Sequence, residues 1–340
     1  MQRPPTIQDV AREAGVAVGT VSNVLNGHPY VSEETRAKVT AAVKRLGYRR
    51  NSLAGGLRSR STMTLGLLLP TLVNPFYPAL ARGVEDVARE NGYTVVLCNT
   101  DRDHRREQGI VQTLLEKRVD GIIAVSPGTA PQHLLPANAA PPLVVVEGGS
   151  VEAPPCDMVT LQAQSGIDEA ARHLRSLGHR RIGMIRGPAG VARADERADL
   201  WRAAAARHGL ELAHETTVAG DFSFAGGERG GRELLVRSDR PSAIVAANDL
   251  MALGAMKAAW GLGLAVPRDV SIVGFDDIDA ASYVTPALTS VAVPAYEQGA
   301  EAVRLLLSRM AAKAPPPVRV CALGTRLLVR ASTGTAPEGA

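Results

Sequence analysis

Ten basic side chains fall within the first 60 residues: Arg3, Arg12, Arg36, Lys38, Lys44, Arg45, Arg49, Arg50, Arg58 and Arg60. Only four acidic ones, Asp9, Glu13, Glu33 and Glu34, stand against them, so this segment carries +6 while the rest of the 340-residue chain comes to −2. From Ala41 to Arg60 there are six basic groups and no acid. Such a segment neutralises a polyanion, above all nucleic-acid phosphates. A second set of chemistry-bearing residues follows apolar runs further along: Asn74-Pro75-Phe76-Tyr77, Arg197 downstream of Gly187-Pro188, Asn248-Asp249 and Asp276-Asp277. Residues placed beyond the carboxyl ends of parallel strands stand where such sheets bind ligands. Catalytic patterns are missing from both sets. Pro70-Thr71-Leu72-Val73-Asn74 is no glycine-rich dinucleotide loop, Gly261-Leu262-Gly263 follows a helix, and neither a Walker A motif nor a G-x-S-x-G elbow occurs. The seven histidines lack metal-ligand spacing. A binding protein without cofactor or metal is expected, not an enzyme.

The elements that must position these residues are legible from periodicity. Thr6-Ile7-Gln8-Asp9 starts a helix, with Thr6 as cap and Ile7, Val10, Ala11 and Ala14 on one face. Gly15 supplies a turn into a second helix over about Val18–Leu25, and Asn26-Gly27-His28-Pro29 breaks the chain. A third helix begins after Ser32 and ends at Gly47. Two short helices around a glycine turn, with a third behind them, form a helix-turn-helix. Beyond residue 62, strands are expected at Leu65–Leu69, Thr94–Asn99, Gly121–Ser126, Leu143–Glu147, Arg181–Gly187, Glu215–Ala219, Ser242–Ala247 and Ser271–Asp276. Helices alternate with them, and the rhythm breaks near Glu147–Pro155. The expected fold is therefore a small all-α helix-turn-helix domain followed by an α/β core of two doubly wound parallel-sheet subdomains, with ligand beyond the strands' carboxyl ends. A hydrophobic content of 45% with 21% charged residues fits globular domains. Cys98, Cys156 and Cys321 are too scattered for a disulfide framework. No apolar run approaches the ~18–20 residues of a membrane span, and the amino-terminal residues lack a secretory h-region. A cytoplasmic protein with no membrane partner is expected.

Thr6-Ile7-Gln8-Asp9-Val10-Ala11, Ala14-Gly15-Val16, Thr20-Val21-Ser22-Asn23-Val24-Leu25-Asn26, Val31-Ser32-Glu33-Glu34-Thr35-Arg36 and Leu46-Gly47-Tyr48 closely resemble the LacI/GalR family of bacterial repressors. Arg180-Arg181-Ile182-Gly183, Gly187-Pro188, Pro267 to Asp276 and Pro286-Ala287-Leu288-Thr289 resemble the same family's effector core, which shares the fold of periplasmic sugar-binding proteins. The resemblance implies a DNA-binding domain over 1–47, a hinge helix or linker over 48–61, and an effector-binding and dimerisation core over 62–335. It divides the core into a first half of about 62–160 plus 294–323 and a second of about 161–290 plus 325–335. It also implies that DNA contacts come from Thr6, Val18, Gly19, Thr20, Ser22 and Asn23, and from Asn51 and Leu57 of the hinge. Ser22 and Asn23 would read bases, Thr20 would anchor a phosphate, and Leu57 would wedge into the minor groove. In the core, Phe76 and Tyr77 would offer apolar surface, and Arg197, Asn248 and Asp276 would bond ligand hydroxyls. Asn74 belongs to the same strand-end set, and Asp249 either caps the helix after it or touches ligand.

The implied partners are a palindromic double-stranded operator, a small-molecule effector such as a sugar, and a second copy in a homodimer. A solute-binding protein without regulatory role is the alternative that the core alone would allow. Three departures from the family pattern stand out: Ala17 removes the usual cap of the second helix, Gly55-Gly56 weakens the hinge helix, and Leu161-Gln162 stands where relatives carry Asp-Asn. The last leaves open an effector less hydroxylated than a typical sugar, or a degenerate site.

Overall fold

The computed structural model describes residues 3, 5–25, 27–48, 61–125, 134–135, 141–147, 154–314 and 316–337. It separates into two compact units, Met1–Thr62 and Met63–Ala340. The expected hinge positions Asn51 and Leu57 lie outside the described residues.

In the first unit, α1 spans Ile7–Ala14, α2 Val18–Leu25 and α3 Glu33–Leu46. Thr6 and Asp9 form a reciprocal capping box on α1, and Gly15 ends it at φ 64°. Ser32 caps α3 and Gly47 ends it at φ 62°. At the start of α2, Ala17 offers no side-chain oxygen. Val10, Ala11, Val21, Val24, Val39 and Ala42 make the core, and Ile7, Leu25, Val31, Leu46 and Tyr48 pack around it. Arg45 reaches back from α3 to Glu13 of α1 at 2.6 Å, so this charge is structural.

The second unit holds two six-stranded sheets. The first comprises β1 (Thr64–Leu69), β2 (Thr94–Asn99), β3 (Gly121–Val125), β4 (Leu143–Val146), β5 (Asp157–Gln162) and β11 (Val320–Gly324). Its spatial order is β11-β5-β4-β3-β1-β2. The second comprises β6 (Ile182–Arg186), β7 (Thr217–Ala219), β8 (Ala243–Ala246), β9 (Ser271–Asp276), β10 (Thr289–Ala292) and β12 (Arg326–Leu328), in the order β12-β10-β9-β8-β6-β7. All pairs are parallel except β10 with β12. Helices α4 (Phe76–Glu90), α5 (His104–Glu116) and α11 (Ala295–Ala311) belong to the first lobe. Helices α6 (Gln164–Ser176), α7 (Ala192–Arg207), α8 (Phe224–Leu235), α9 (Asp249–Gly261) and the short α10 (Asp279–Tyr283) belong to the second. The uninterrupted burial of β3, β4, β8 and β9 is what helices on both faces of a parallel sheet require.

Four strands escaped the periodicity: β5, β10, β11 and β12. Each borders a crossing of the chain between lobes. These crossings are stitched together. Thr325 Oγ1 accepts from Gly166 N at 3.0 Å and donates to Gln162 O at 3.1 Å. A Cβ on Gly166 would lie 2.5 Å from Val291 Cγ1 and 2.7 Å from Thr325 Oγ1, so only glycine lets the three segments meet. In the first lobe, α4 and α11 touch backbone to backbone, because a Cβ on Gly83 would sit 2.0 Å from Tyr296 O.

Asp157, fully buried at the start of β5, binds Arg309 of α11 (2.6 and 2.8 Å) and Arg319 beside β11 (3.0 Å). Burial works to raise its pKa, but the hydrogen bonds from Arg309 and Arg319 outweigh it and hold the group at about 2. Its contribution to stability is therefore present above its unfolded pKa near 3.8 and is lost as pH falls through about 2. Removing it strands two arginines, one of them largely buried. Asp157→Ala should lower unfolding free energy by about 3–5 kcal/mol in urea titrations at pH 7, and a loss under 1 kcal/mol would refute the staple.

Candidate DNA-binding face and effector cleft

In the first unit, α2 divides its residues by face. Val21 and Val24 are buried, whereas Val18 is 42% exposed and Gly19 and Asn23 are also exposed. An open valine on a helix whose apolar stripe is already satisfied is not core material. A Cβ on Gly19 would meet nothing within 4 Å, so this position is bare toward solvent. Thr20 and Ser22 are half-buried at the edge of that face. Thr6 has its hydroxyl committed to the capping box, where it donates to Asp9 Oδ2 at 2.7 Å. Tyr30, 95% exposed between α2 and α3, had no periodic signal to single it out.

In the second unit, the carboxyl ends of both sheets confront each other. β1 lies between β2 and β3, and β6 between β7 and β8, so both sheets place a topological switch point at this layer. The loop after β1 carries Asn74, whose Oδ1 accepts from Phe76 N at 3.0 Å. Its Nδ2 donates to Asp276 Oδ2 across the cleft at 3.1 Å. Phe76 and Tyr77 follow as an edge-to-face pair, 5.1 Å between centroids. From α7, Arg197 donates to Ala247 O and stacks 3.7 Å over the Phe275 ring. Leu161, Ala163, Arg193, Glu196, Arg197 and Leu200 line a small opening of about 10 Å³.

Two further contacts cross the cleft through residues that strand-end reasoning passed over. Glu147, at the end of β4, faces Arg193 of α7 at 3.5 Å. Arg102, after β2, lies over the Phe222 ring at 5.2 Å. Six non-glycine residues of this layer hold left-handed backbone: Asp101, Arg102, Glu147, Phe222, Asp276 (φ 112°) and Asp277. Strain of that kind is retained where the surroundings over-determine it, typically at ligand sites. A signal for Phe222 existed in the sequence, since the chain has only four phenylalanines and Phe76, Phe222 and Phe275 all sit in this layer.

Asp249 departs from a ligand role. It is fully buried, one oxygen accepting from Ser290 Oγ (2.6 Å) and the other from Ile278 N (2.8 Å), so it braces the second lobe. Asn248 caps α9 by accepting from Met251 N at 3.0 Å and holds Phe222 O at 3.0 Å through its amide. Its first task is to place the aromatic. Burial pushes the Asp276 carboxyl up to about 7 against the opposing pull of Arg197 and Asn74. Burial, with the Glu147 charge, takes Tyr77 to about 12. Burial also lowers the Arg197 pKa, with Asp276 acting the other way. Among the described residues, no group of three or more His, Cys, Asp or Glu could hold a metal, and no helix is long and apolar enough to cross a membrane.

Comparison with known proteins bears on both units. Residues 6–51 match the family described as bacterial regulatory proteins, lacI family, and residues 171–333 match a periplasmic binding protein-like domain. The ribose operon repressor of Escherichia coli (strain K12) is 39% identical over 307 residues, 90% of this chain and 93% of that protein. The lac repressor dimer bound to operator and the anti-inducer ONPF superposes with a TM-score of 0.88 at 28% identity, covering 98% of this chain and 100% of that one. A transcriptional regulator CelR–cellobiose complex superposes with a TM-score of 0.72 at 33% identity, covering 96% and 99%.

The Asp276 carboxyl makes a thermal prediction. Its folded pKa of about 7 lies above the 3.8 of a free aspartate, so the advantage of the protonated form is complete below about pH 4 and is lost as pH rises through 7. Between pH 5 and pH 8 the melting temperature should fall more in the native chain than in Asp276→Asn. Equal falls in both would show that this carboxyl does not titrate in the cleft.

Proposed function

The chain belongs to the lacI family of bacterial regulatory proteins, and from that membership we propose that it is a cytoplasmic transcriptional repressor whose grip on a palindromic operator is set by a small sugar or related metabolite. In this reading residues 1–47 bind DNA, 48–61 form the hinge, and 62–335 bind effector and hold the homodimer. Two-fold symmetry of the dimer would then match the two half-sites. The observation that carries the reading is the split of α2 into a buried stripe and an open face of Val18, Gly19 and Asn23. Val18 has no hydrogen-bonding group and suits a thymine methyl, Gly19 allows close backbone approach, and Asn23 with Ser22 supplies polar readout. Thr20 and Thr6 are assigned to phosphate contact, as are the flanking arginines, with Asn51 and Leu57 acting from the hinge.

The effector assignment rests on Asn74, Phe76, Tyr77, Arg197, Asn248 and Asp276, to which Arg102, Glu147, Arg193 and Phe222 are added. Relatives named for ribose and cellobiose support a polyhydroxylated ligand. Ligand closure would work on the three stitched crossings, shifting one lobe against the other. Membership of a regulator family speaks against catalysis, and the helix-turn-helix unit speaks against a bare solute-binding protein.

Selection of genomic fragments on the purified chain tests the DNA reading. A palindromic site should be enriched, and failure to enrich one would overturn it. On that site Asn23→Ala should cost about 1–3 kcal/mol of specific affinity while leaving the salt dependence of binding unchanged. Leu57→Ala should weaken operator binding without altering effector affinity, and no change in operator binding would remove the wedge.

A further inference from the structure

Several polar side chains of the cleft are committed within the protein: Asn74 to Asp276, Asn248 to Phe222 O and Arg197 to Ala247 O. Gln298 is not. It stands near the start of α11 with none of its surface exposed, and neither Oε1 nor Nε2 has a hydrogen-bond partner among the described residues. Asn99, Trp201 and Arg319 each leave a single buried atom unpaired, whereas Gln298 leaves its whole amide. Burying an unbonded amide is costly, and such a group is retained where something outside the chain satisfies it.

Two anchors place that amide at the cleft layer. At its start α11 leaves the crossing after β10, where Val293 N donates to Asp276 O at 3.3 Å and Gln298 N donates to Pro294 O at 3.0 Å. Near its other end Arg309 grips Asp157, the first residue of β5. The helix therefore descends the first sheet from the carboxyl ends of its strands to their amino ends. Gln298 precedes Arg309 by three helical turns, about 16 Å, and shares its face. β5 climbs a similar distance, about 16 Å, from Asp157 to Gln162. Gln298 is thus level with the carboxyl end of β5, on the side of α11 that packs on β4 and β5. The neighbouring side, at Tyr296, Gly299 and Ala300, is taken up by α4. Full burial is no bar to ligand contact, since Asn74 and Asp276 are themselves only 6% and 8% exposed.

We infer that Gln298 is an effector-binding residue, its amide reserved for a hydroxyl on the ligand edge that faces the first lobe. Nε2 donates to that oxygen or Oε1 accepts from it. This assignment deepens the sugar-regulated reading and rests on it.

Gln298→Met in the full chain tests it, because methionine keeps the length and shape of the side chain and removes both polar atoms. Thermal-shift titration of the native chain with D-ribose, D-galactose, D-glucose and cellobiose finds the sugar that binds, and calorimetry then measures that sugar on both proteins. Without sugar, Gln298→Met should melt about 2–4 °C above the native chain. Its affinity for the sugar should be about ten- to a hundredfold weaker. A variant that melts no higher than the native chain, or fails to fold, overturns the inference, since the amide would then be satisfied inside the protein. Unchanged sugar affinity overturns it as well, whatever the melting shift. Both results leave the sugar reading standing. If none of the four sugars binds the native chain while operator selection succeeds, the sugar reading falls and takes this inference with it.

Discussion

The core depends on the hydrogen bond between Asn74 and Asp276, 3.1 Å long, which joins the end of one sheet to the end of the other. Asp276 makes it from a backbone held at φ 112°, outside the regions an aspartate prefers. The holding is done from below. A Cβ on Gly274 would lie 2.0 Å from Asp249 Oδ1, so β9 passes flush against a carboxylate that is itself fixed by Ser290 and Ile278 N. Asp249 thus acts on the cleft without entering it. The same logic applies to Asn248, which places Phe222 by gripping its carbonyl. Neutral and charged groups in this layer are positioned by partners one step further in, which is how a binding site is kept rigid enough to discriminate.

Much of this was legible in the sequence, and the exceptions have physical causes. Long helices and strands buried on both faces declare themselves by period and by runs such as Leu65–Leu69. β5 does not, because its first residue is an aspartate that only Arg309 and Arg319, some 150 residues away in sequence, make tolerable in the interior. Among cleft residues, Asn74, Phe76, Tyr77 and Asp276 could be found because they stand at or shortly beyond the carboxyl ends of β1 and β9. Glu147 and Arg193 escaped, as did Arg102 and Phe222, since each is given meaning by a partner on the other lobe. Distance along the chain hides such pairs, and no local pattern replaces the fold. Asp249 sits beside Asn248 and looks equally available; only its two filled hydrogen bonds separate brace from ligand.

The charge asymmetry of the chain divides in the same way. Within the first unit Arg45 is spent on Glu13, Arg3 and Arg12 lie beside Asp9, and Lys38 pairs with Glu34. A count of basic residues therefore overstates what is available to phosphates. The open face of α2 carries no charge in Val18, Gly19 or Asn23. Long-range attraction and sequence choice are consequently carried by different residues, and salt should weaken the first far more than the second.

A ligand changes the balance between two arrangements only through the difference in its affinity for them. In this core the cross-cleft contacts are already made: Asn74 to Asp276, Arg193 to Glu147 and Arg102 over Phe222. An effector that merely added hydrogen bonds to both arrangements would shift nothing, however tightly it bound. To regulate, it must compete with one of these contacts or extend it. Asp276 is the group at which that competition is sharpest, because its acceptor oxygens serve Asn74 now and would serve a ligand hydroxyl next. Its carboxyl, poised at about 7 by burial, adds a proton to the same contest. Because Gly166 and Thr325 join the crossings, such an exchange of partners would be passed from one lobe to the other through this point.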